Sequence, residues 1–224
     1  MYCLLEGKNM KAKGLNTFTL KMIAIVSMLI DHIGYVLFPG VTILRVIGRI
    51  AFPIFIYVLA EGFVYTRDVK KYLMRLGLFA LLSEVPYDLA TRGTILEFSH
   101  QNVFFTLFLA VLVLHLMSQA QNIIIKYGVV VAGLLLCRLL HTDYSSIGIL
   151  LVVVFWLFRE RKVEKLLIIG LIFIGLTGGL QLYALLALPL IAFHNGEQGP
   201  KMKTFFYLFY PAHLLILYLV HLIV

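Results

Sequence analysis

The sequence predicts an all-α polytopic membrane bundle, about nine transmembrane helices folded as one domain. Three observations carry this. The residues are 62% hydrophobic and only 13% charged, with a mean hydropathy of +0.98; a soluble domain is about half apolar and a quarter charged. Apolar runs long enough to cross a bilayer recur along the chain. The connections between them hold most of the lysines and arginines, as cytoplasmic loops do. The net charge of +8 is therefore read as positive-inside loops and not as a nucleic-acid surface.

Residues 1–14 form a polar tail with Lys8, Lys11 and Lys13, which predicts a cytoplasmic N-terminus. The first helix is placed at 18–38 and stops at the turn pair Pro39-Gly40. It follows a basic stretch, as a signal peptide would. Its length, its internal Asp31-His32 pair and the lack of a small-residue cleavage site favour a first membrane span. The second helix, 42–65, contains Arg45, Arg49, Pro53 and Glu61, and a basic connection with Arg67, Asp68, Lys70 and Lys71 follows. The third, 72–90, turns polar in its second half, where Glu84, Asp88 and Arg92 recur every four residues and share a stripe, with Pro86 expected to kink it.

A hydrophilic connection with Glu97 and His100 leads to helices at 103–118 and 122–140. His141, Asp143 and Tyr144 make a turn before a helix at 145–158, and Arg159, Arg161, Lys162 and Lys165 form the strongest basic cluster. Short helices at 165–176 and 180–193 flank Thr177-Gly178-Gly179; read as one re-entrant hairpin they would reduce the count to eight. The last helix, 204–223, carries Pro211, His213 and His221. The alternating topology places every strongly basic connection on the N-terminal side. No internal repeat marks a second domain.

The chain carries no CxxC, HExxH, Walker or GxGxxG pattern, so no metal or nucleotide fold has motif support. Cys3 and Cys137 are far apart, and Cys137 reads as an inert buried thiol. The chemistry lies elsewhere. Lys21 and His32 are eleven residues apart, which is three turns and about 20°, so they share a face about 16 Å apart along the axis. The predicted topology puts Asp31, His32, Arg45, Arg49, Glu84, Asp88 and Arg92 in one layer near the outer side. Ionisable groups at such depth are costly and mark function by default. Asp31, Glu84 and Asp88 are the candidate counter-ions for the two arginines; a charge cluster that only fixes helix packing is the plainer alternative. His32 is the candidate proton carrier. His115 reads as structural and His221 as interfacial. Arg67 and Arg75, near Lys21 on the inner side, could hold a phosphate-rich ligand.

The stretches LKMIAIVSMLIDHIG, GRIAFPIFIYVLAEGFVYTR, KKYLMRLGLFALLSEVPYDLA, QNVFFTLFLA and FYPAHLL resemble the TraX family, named for the pilin-acetylation protein of conjugative plasmids. The likeness runs from about Leu20 to Leu215. One block departs: where the family leads one to expect Asp-Tyr-Gly and a second glycine, the chain has Asp143-Tyr144-Ser145-Ser146. The family is similar to the transmembrane acyltransferases that modify surface sugars and lipids. Those carry a basic residue, ten intervening residues and a histidine in the first helix, a spacing that Lys21 and His32 reproduce. The resemblance implies acetyl-CoA as acyl donor, His32 as catalytic base and Lys21 in the basic place; with no metal motif in the chain, no metal is expected.

On that reading, His32 would take a proton from an attacking amine or hydroxyl. Asp31 points about 100° away, so an acid of the third helix, Glu84 or Asp88, would orient the ring. Arg45 or Arg49 would stabilise the oxyanion. Lys21, Arg67 and Arg75 would hold CoA phosphates. The expected location is the inner or plasma membrane. The expected partners are membrane lipid and an exported acceptor, a pilin N-terminus or a surface glycan or lipid; the oligomeric state is left open. The competing class is a small proton-coupled carrier with Asp31, His32 and Glu84 as a relay, and a third reading is a scaffold whose charges only pack helices.

Overall fold

The computed structural model describes residues 14–223. The tail residues Cys3, Lys8, Lys11 and Lys13 lie outside them. Among the described residues there are helices, two isolated β-bridges and no sheet.

Helix α1, Thr17–Val36, starts where Asn16 caps it: the Asn16 side chain accepts from the Thr19 amide at 2.9 Å. The first amides of a helix have no partner within it. Here the loop at 193–199 supplies two, the carbonyls of Glu197 and Gln198 accepting from Thr17 and Phe18 at 2.8 and 3.1 Å. At its other end α1 turns through Pro39-Gly40 into α2, Thr42–Gly48, which folds back on it.

The expected single helix at 42–65 is broken: α2 ends at Gly48 and α3 runs Ala51–Tyr65. Pro53 explains the break. A proline ring clashes with the carbonyl four residues earlier, here that of Arg49, and is tolerated in the first turn of a new helix. The interruption sets Arg49 between the two helices, beside α1.

Helix α4, Val69–Arg92, runs on through Pro86 and ends at Gly93, in the left-handed conformation (φ 70°) that suits a C-terminal glycine. It packs against α10, Lys203–His221, and against α5, Val103–Gln119. Helix α7, Ser145–Leu157, lies beside α3 and α5, while α6, Ile123–Leu139, is peripheral and buries only Gly133 and Cys137. Helix α8, Lys162–Leu176, is followed by a 3-10 segment, Gly179–Leu186, and α9, Ala187–Ala192. At the rises of these helix types the return pass covers about 25 Å, close to the ~22 Å of α8. The 3-10 segment reaches α2 at one end, and His194 meets Thr17 at the other, so the pair traverses the bundle.

The core sits where α1, α3, α4, α5, α7 and α10 converge, with Leu20, Ile54, Ile56, Leu76, Leu114 and Leu151 buried. The outside is apolar too: Leu81, Leu135 and Leu171 are each about two-thirds exposed (69%, 64% and 68%). Outward leucines over several helices are what a lipid-facing surface requires. Among the described residues, three segments are long and apolar enough to cross a membrane: Thr17–Val36, Thr42–Tyr65 and Lys203–His221.

Candidate active site

At the end of α1 away from Lys21, polar side chains surround a cavity of about 260 Å³. Its first component is an ion cluster. Asp31 accepts from Arg49 Nη2 at 2.6 and 2.7 Å and from Arg45 Nη1 at 2.9 Å, and Arg45 also reaches the Asp31 carbonyl at 3.1 Å. One carboxylate thus holds two guanidinium groups in line. Gly48 makes this possible: a Cβ there would overlap the Asp31 side chain. Arg45 lies over the Tyr35 ring, 4.7 Å from its centroid. Each arginine keeps N–H groups with no bond among the described residues, and both line the cavity.

The second component is His32, one residue on from Asp31 but facing elsewhere, as the 100° step requires. Its Nδ1 lies 2.7 Å from Nε2 of His213 on α10, and the two rings stack with centroids 4.9 Å apart. His213 in turn bonds the Phe209 carbonyl through Nδ1, at 2.7 Å. His32 lines the cavity; His213 stands behind it, buried, and does not.

The third component is the turn before α7. His141, Tyr144 and Ser145 all have positive φ (49°, 59° and 40°), the left-handed region that non-glycine residues avoid. Tyr144 stacks flat on Phe52, and Asp143 and Tyr144 both face the cavity. Tyr87 and His100 also line the cavity and are bonded to each other at 3.2 Å.

Two further spaces adjoin this cavity. One, also about 260 Å³, opens at the Lys21 end and is lined by Lys21, Arg75 and Lys203 together with Tyr72, Phe206 and Tyr207. It shares a wall with the central cavity, formed by Met28, Phe55, Val103 and Tyr210. The other is a rim groove of about 810 Å³ that shares Tyr35, Arg45, Thr91 and Arg92 with the central cavity. The three spaces follow one another along the face of α1 that carries Lys21, Met28, His32 and Tyr35.

The structure thus brings Asp31, His32, Arg45 and Arg49 together, and Lys21 with Arg75. It corrects the layer expected for α4. Glu84 and Asp88 are not counter-ions of the arginines and do not orient His32. Glu84 accepts from the Asn102 side chain, and Asp88 accepts from the Glu97 amide at 2.8 Å. They anchor the 93–102 connection and stand outside the cavity wall. The relay of Asp31, His32 and Glu84 is therefore not continuous among the described residues. Arg67 is exposed and does not line the Lys21 cavity. The sequence reading missed His213, Lys203 and the cavity-facing role of Asp143 and Tyr144.

These features define an all-helical protein with membrane-length segments and a buried polar cavity at the centre of a chain of three spaces. The family described as TraX protein matches residues 17–221, and the chain belongs to it. A probable fimbrial assembly protein, FimC of serogroup H1, from Dichelobacter nodosus is 26% identical over 231 residues, covering 90% of this chain and 94% of that one. An uncharacterised protein of Rickettsia prowazekii (strain Madrid E) is 50% identical over 44 residues, 20% of this chain and 18% of its own length. No solved structure matches.

Proposed function

We propose that this protein is a multi-pass acetyltransferase of the inner membrane that moves an acetyl group from cytoplasmic acetyl-CoA to an exported acceptor, with His32 as general base. Family membership and the fimbrial relative support a role in pilin modification. The observation that carries the chemical reading is the row of three adjoining spaces, with His32 on the wall of the middle one.

The Lys21 end is taken as cytoplasmic. The residues of the cavity there fit the donor. Lys21, Arg75 and Lys203 face it, and among the described residues no acidic side chain lines it and the buried Arg75 Nε has no hydrogen-bond partner. Cations without counter-ions suit phosphates, and the aromatic and aliphatic walls suit the less polar arm of the coenzyme. The bound donor supplies an activated acyl group, and the shared wall at Met28, Phe55, Val103 and Tyr210 is where that group would meet the central cavity.

The acceptor, a pilin N-terminus or the hydroxyl of a surface glycan or lipid, enters through the rim groove. His32 takes the proton from its amine or hydroxyl as the new bond to the acetyl carbon forms. The free N–H groups of Arg45 and Arg49 stabilise the negative charge gathering on the carbonyl oxygen, and Asp31 keeps both in place. The carbon–sulfur bond breaks, and the departing thiolate is reprotonated by the imidazolium, which restores His32.

The test is purified protein in detergent or liposomes with labelled acetyl-CoA and candidate acceptors. His32→Ala is expected to lower transfer by about 10²- to 10⁴-fold while inserting and purifying as wild type. Undiminished transfer by that variant overturns the assignment.

A further inference from the structure

We infer that His213 is a positioning residue: it fixes the tautomer of His32 and so selects Nε2 of His32 as the atom that takes the acceptor's proton. The inference rests on the acyl-transfer reading above and names the nitrogen that performs it.

The argument runs along one line of atoms. A carbonyl oxygen only accepts, so the 2.7 Å contact between Phe209 O and His213 Nδ1 requires a proton on that nitrogen. In a neutral imidazole the other nitrogen then carries a lone pair, so His213 Nε2 is an acceptor. Among the described residues the group it accepts from, at 2.7 Å, is His32 Nδ1–H. His32 is therefore held with its proton on Nδ1, and its lone pair is left on Nε2. That atom makes no hydrogen bond among the described residues, and the ring lines the central cavity. Because the backbone carbonyl of Phe209 cannot reverse its role, the direction of the whole chain is set by the main chain of α10.

The choice of a neutral orienting group follows from the neighbours. Arg45 and Arg49 stand beside His32 on the same cavity wall. A carboxylate placed there would be drawn to a guanidinium, as Asp31 is. An imidazole accepts from His32 without competing for the arginines. Stacking of His213 on Phe209, with ring centroids 4.9 Å apart, and burial at 5% exposure hold it in register. His213 touches neither cavity nor groove, so its effect must pass through His32.

Two substitutions and one spectrum test this. His213→Gln keeps an acceptor near the Nε2 position; His213→Phe keeps the ring and removes the acceptor. The turnover number of His213→Phe is expected to fall by about 100-fold or more, with the apparent KM for acetyl-CoA unchanged, and His213→Gln is expected to recover most of it. Nitrogen-15 NMR of histidine-labelled protein in detergent reads the tautomer without turnover: His32 in wild type shows a protonated Nδ1 and a bare Nε2, and in His213→Phe it shows a mixture. A His32 that keeps its tautomer in His213→Phe, or a wild-type turnover number in that variant, overturns the inference. Undiminished transfer by His32→Ala overturns the acyl-transfer reading instead, and leaves the spectrum as an independent measure of the pair.

Discussion

The two ends of α1 each meet a histidine, and the two histidines are held in different ways. At the Lys21 end His194 has both ring nitrogens occupied, Nε2 by the Thr17 hydroxyl at 3.1 Å and Nδ1 by the Tyr57 hydroxyl at 2.7 Å. Lys165 stands over the Tyr57 ring, and its amine donates to the Arg159 carbonyl at 3.2 Å. At the other end His32 has one nitrogen engaged and the other unbonded among the described residues, on a ring that lines the cavity. A buried polar group with every site filled holds a structure together; one with a deliberate vacancy is available for chemistry. Burial alone would not separate the two, since both lie among buried polar networks. Only the fate of each ring nitrogen does.

The strongest way to break the comparison is to disturb the open end without touching its polar residues. Gly48→Ala puts a methyl group into the Asp31 side chain. Asp31 is short and already held by two arginines, so it cannot step aside without losing them. Overpacking and a broken buried ion pair each cost a few kcal/mol; a loss of about 3–5 kcal/mol is expected, read as a lower unfolding midpoint in detergent. On the proposed function, acetyl transfer should fall by at least 100-fold, because Arg45 and Arg49 would no longer be held at the cavity wall. A Gly48→Ala protein with full activity would show that the Asp31 cluster has no part in the reaction.

The closed end should behave in the opposite way. His194→Ala leaves the Thr17 and Tyr57 hydroxyls buried without their partner, at about 1–3 kcal/mol of stability, and should leave the turnover number within about threefold of wild type. A sharper version uses pH. Burial, with Lys165 nearby, holds the His194 imidazole below its ordinary range, so it is neutral in the fold. The unfolded chain binds the proton first as pH falls through about 6.5. The stability this group provides is therefore complete above that pH and lost below it. His194→Gln should show a shallower loss of unfolding midpoint between pH 7 and pH 5 than wild type. An equal slope would mean that His194 does not stay neutral in the folded protein.

The sequence made much of this legible, and the reasons it fell short are specific. Apolar runs between basic connections located the helices, because a chain in lipid must satisfy its backbone internally and only long apolar helices do so. The pairing of Asp31 with Arg45 or Arg49 followed from depth, since an acid and two bases close in sequence across one tight turn have few other partners. The same depth argument failed for Glu84 and Asp88. Depth does not say which face an acid takes, and the nearby 93–102 connection offered Asn102 and the Glu97 amide at shorter reach. His213 is 181 residues from His32, and no local pattern connects them; only the packing of α1 against α10 does. The break at Arg49 was within reach, because Pro53 disfavours the carbonyl of residue 49, but a proline near the start of a long apolar run reads equally well as a kink.

The smallest expected effect concerns the turn that closes the open end. Family resemblance leads one to expect glycine after Asp143-Tyr144, and the chain has Ser145, whose φ of 40° is in the left-handed region. Holding a serine there costs about 1–3 kcal/mol. Glycine would remove that strain but add roughly 0.5–1 kcal/mol of unfolded-state entropy. Ser145→Gly should therefore stabilise the protein by about 1 kcal/mol, seen as a modest rise in unfolding midpoint. Tyr144 would stay stacked on Phe52 and Asp143 would keep facing the cavity, so acetyl transfer should be unchanged within about twofold. If the midpoint rises and transfer falls, the strain at Ser145 holds Asp143 and Tyr144 in a working position, and the turn belongs with His32 to the reacting end of α1. If neither changes, the turn is only a connection, and the difference between the two ends of α1 narrows to the unfilled nitrogen of His32 and the arginines beside it.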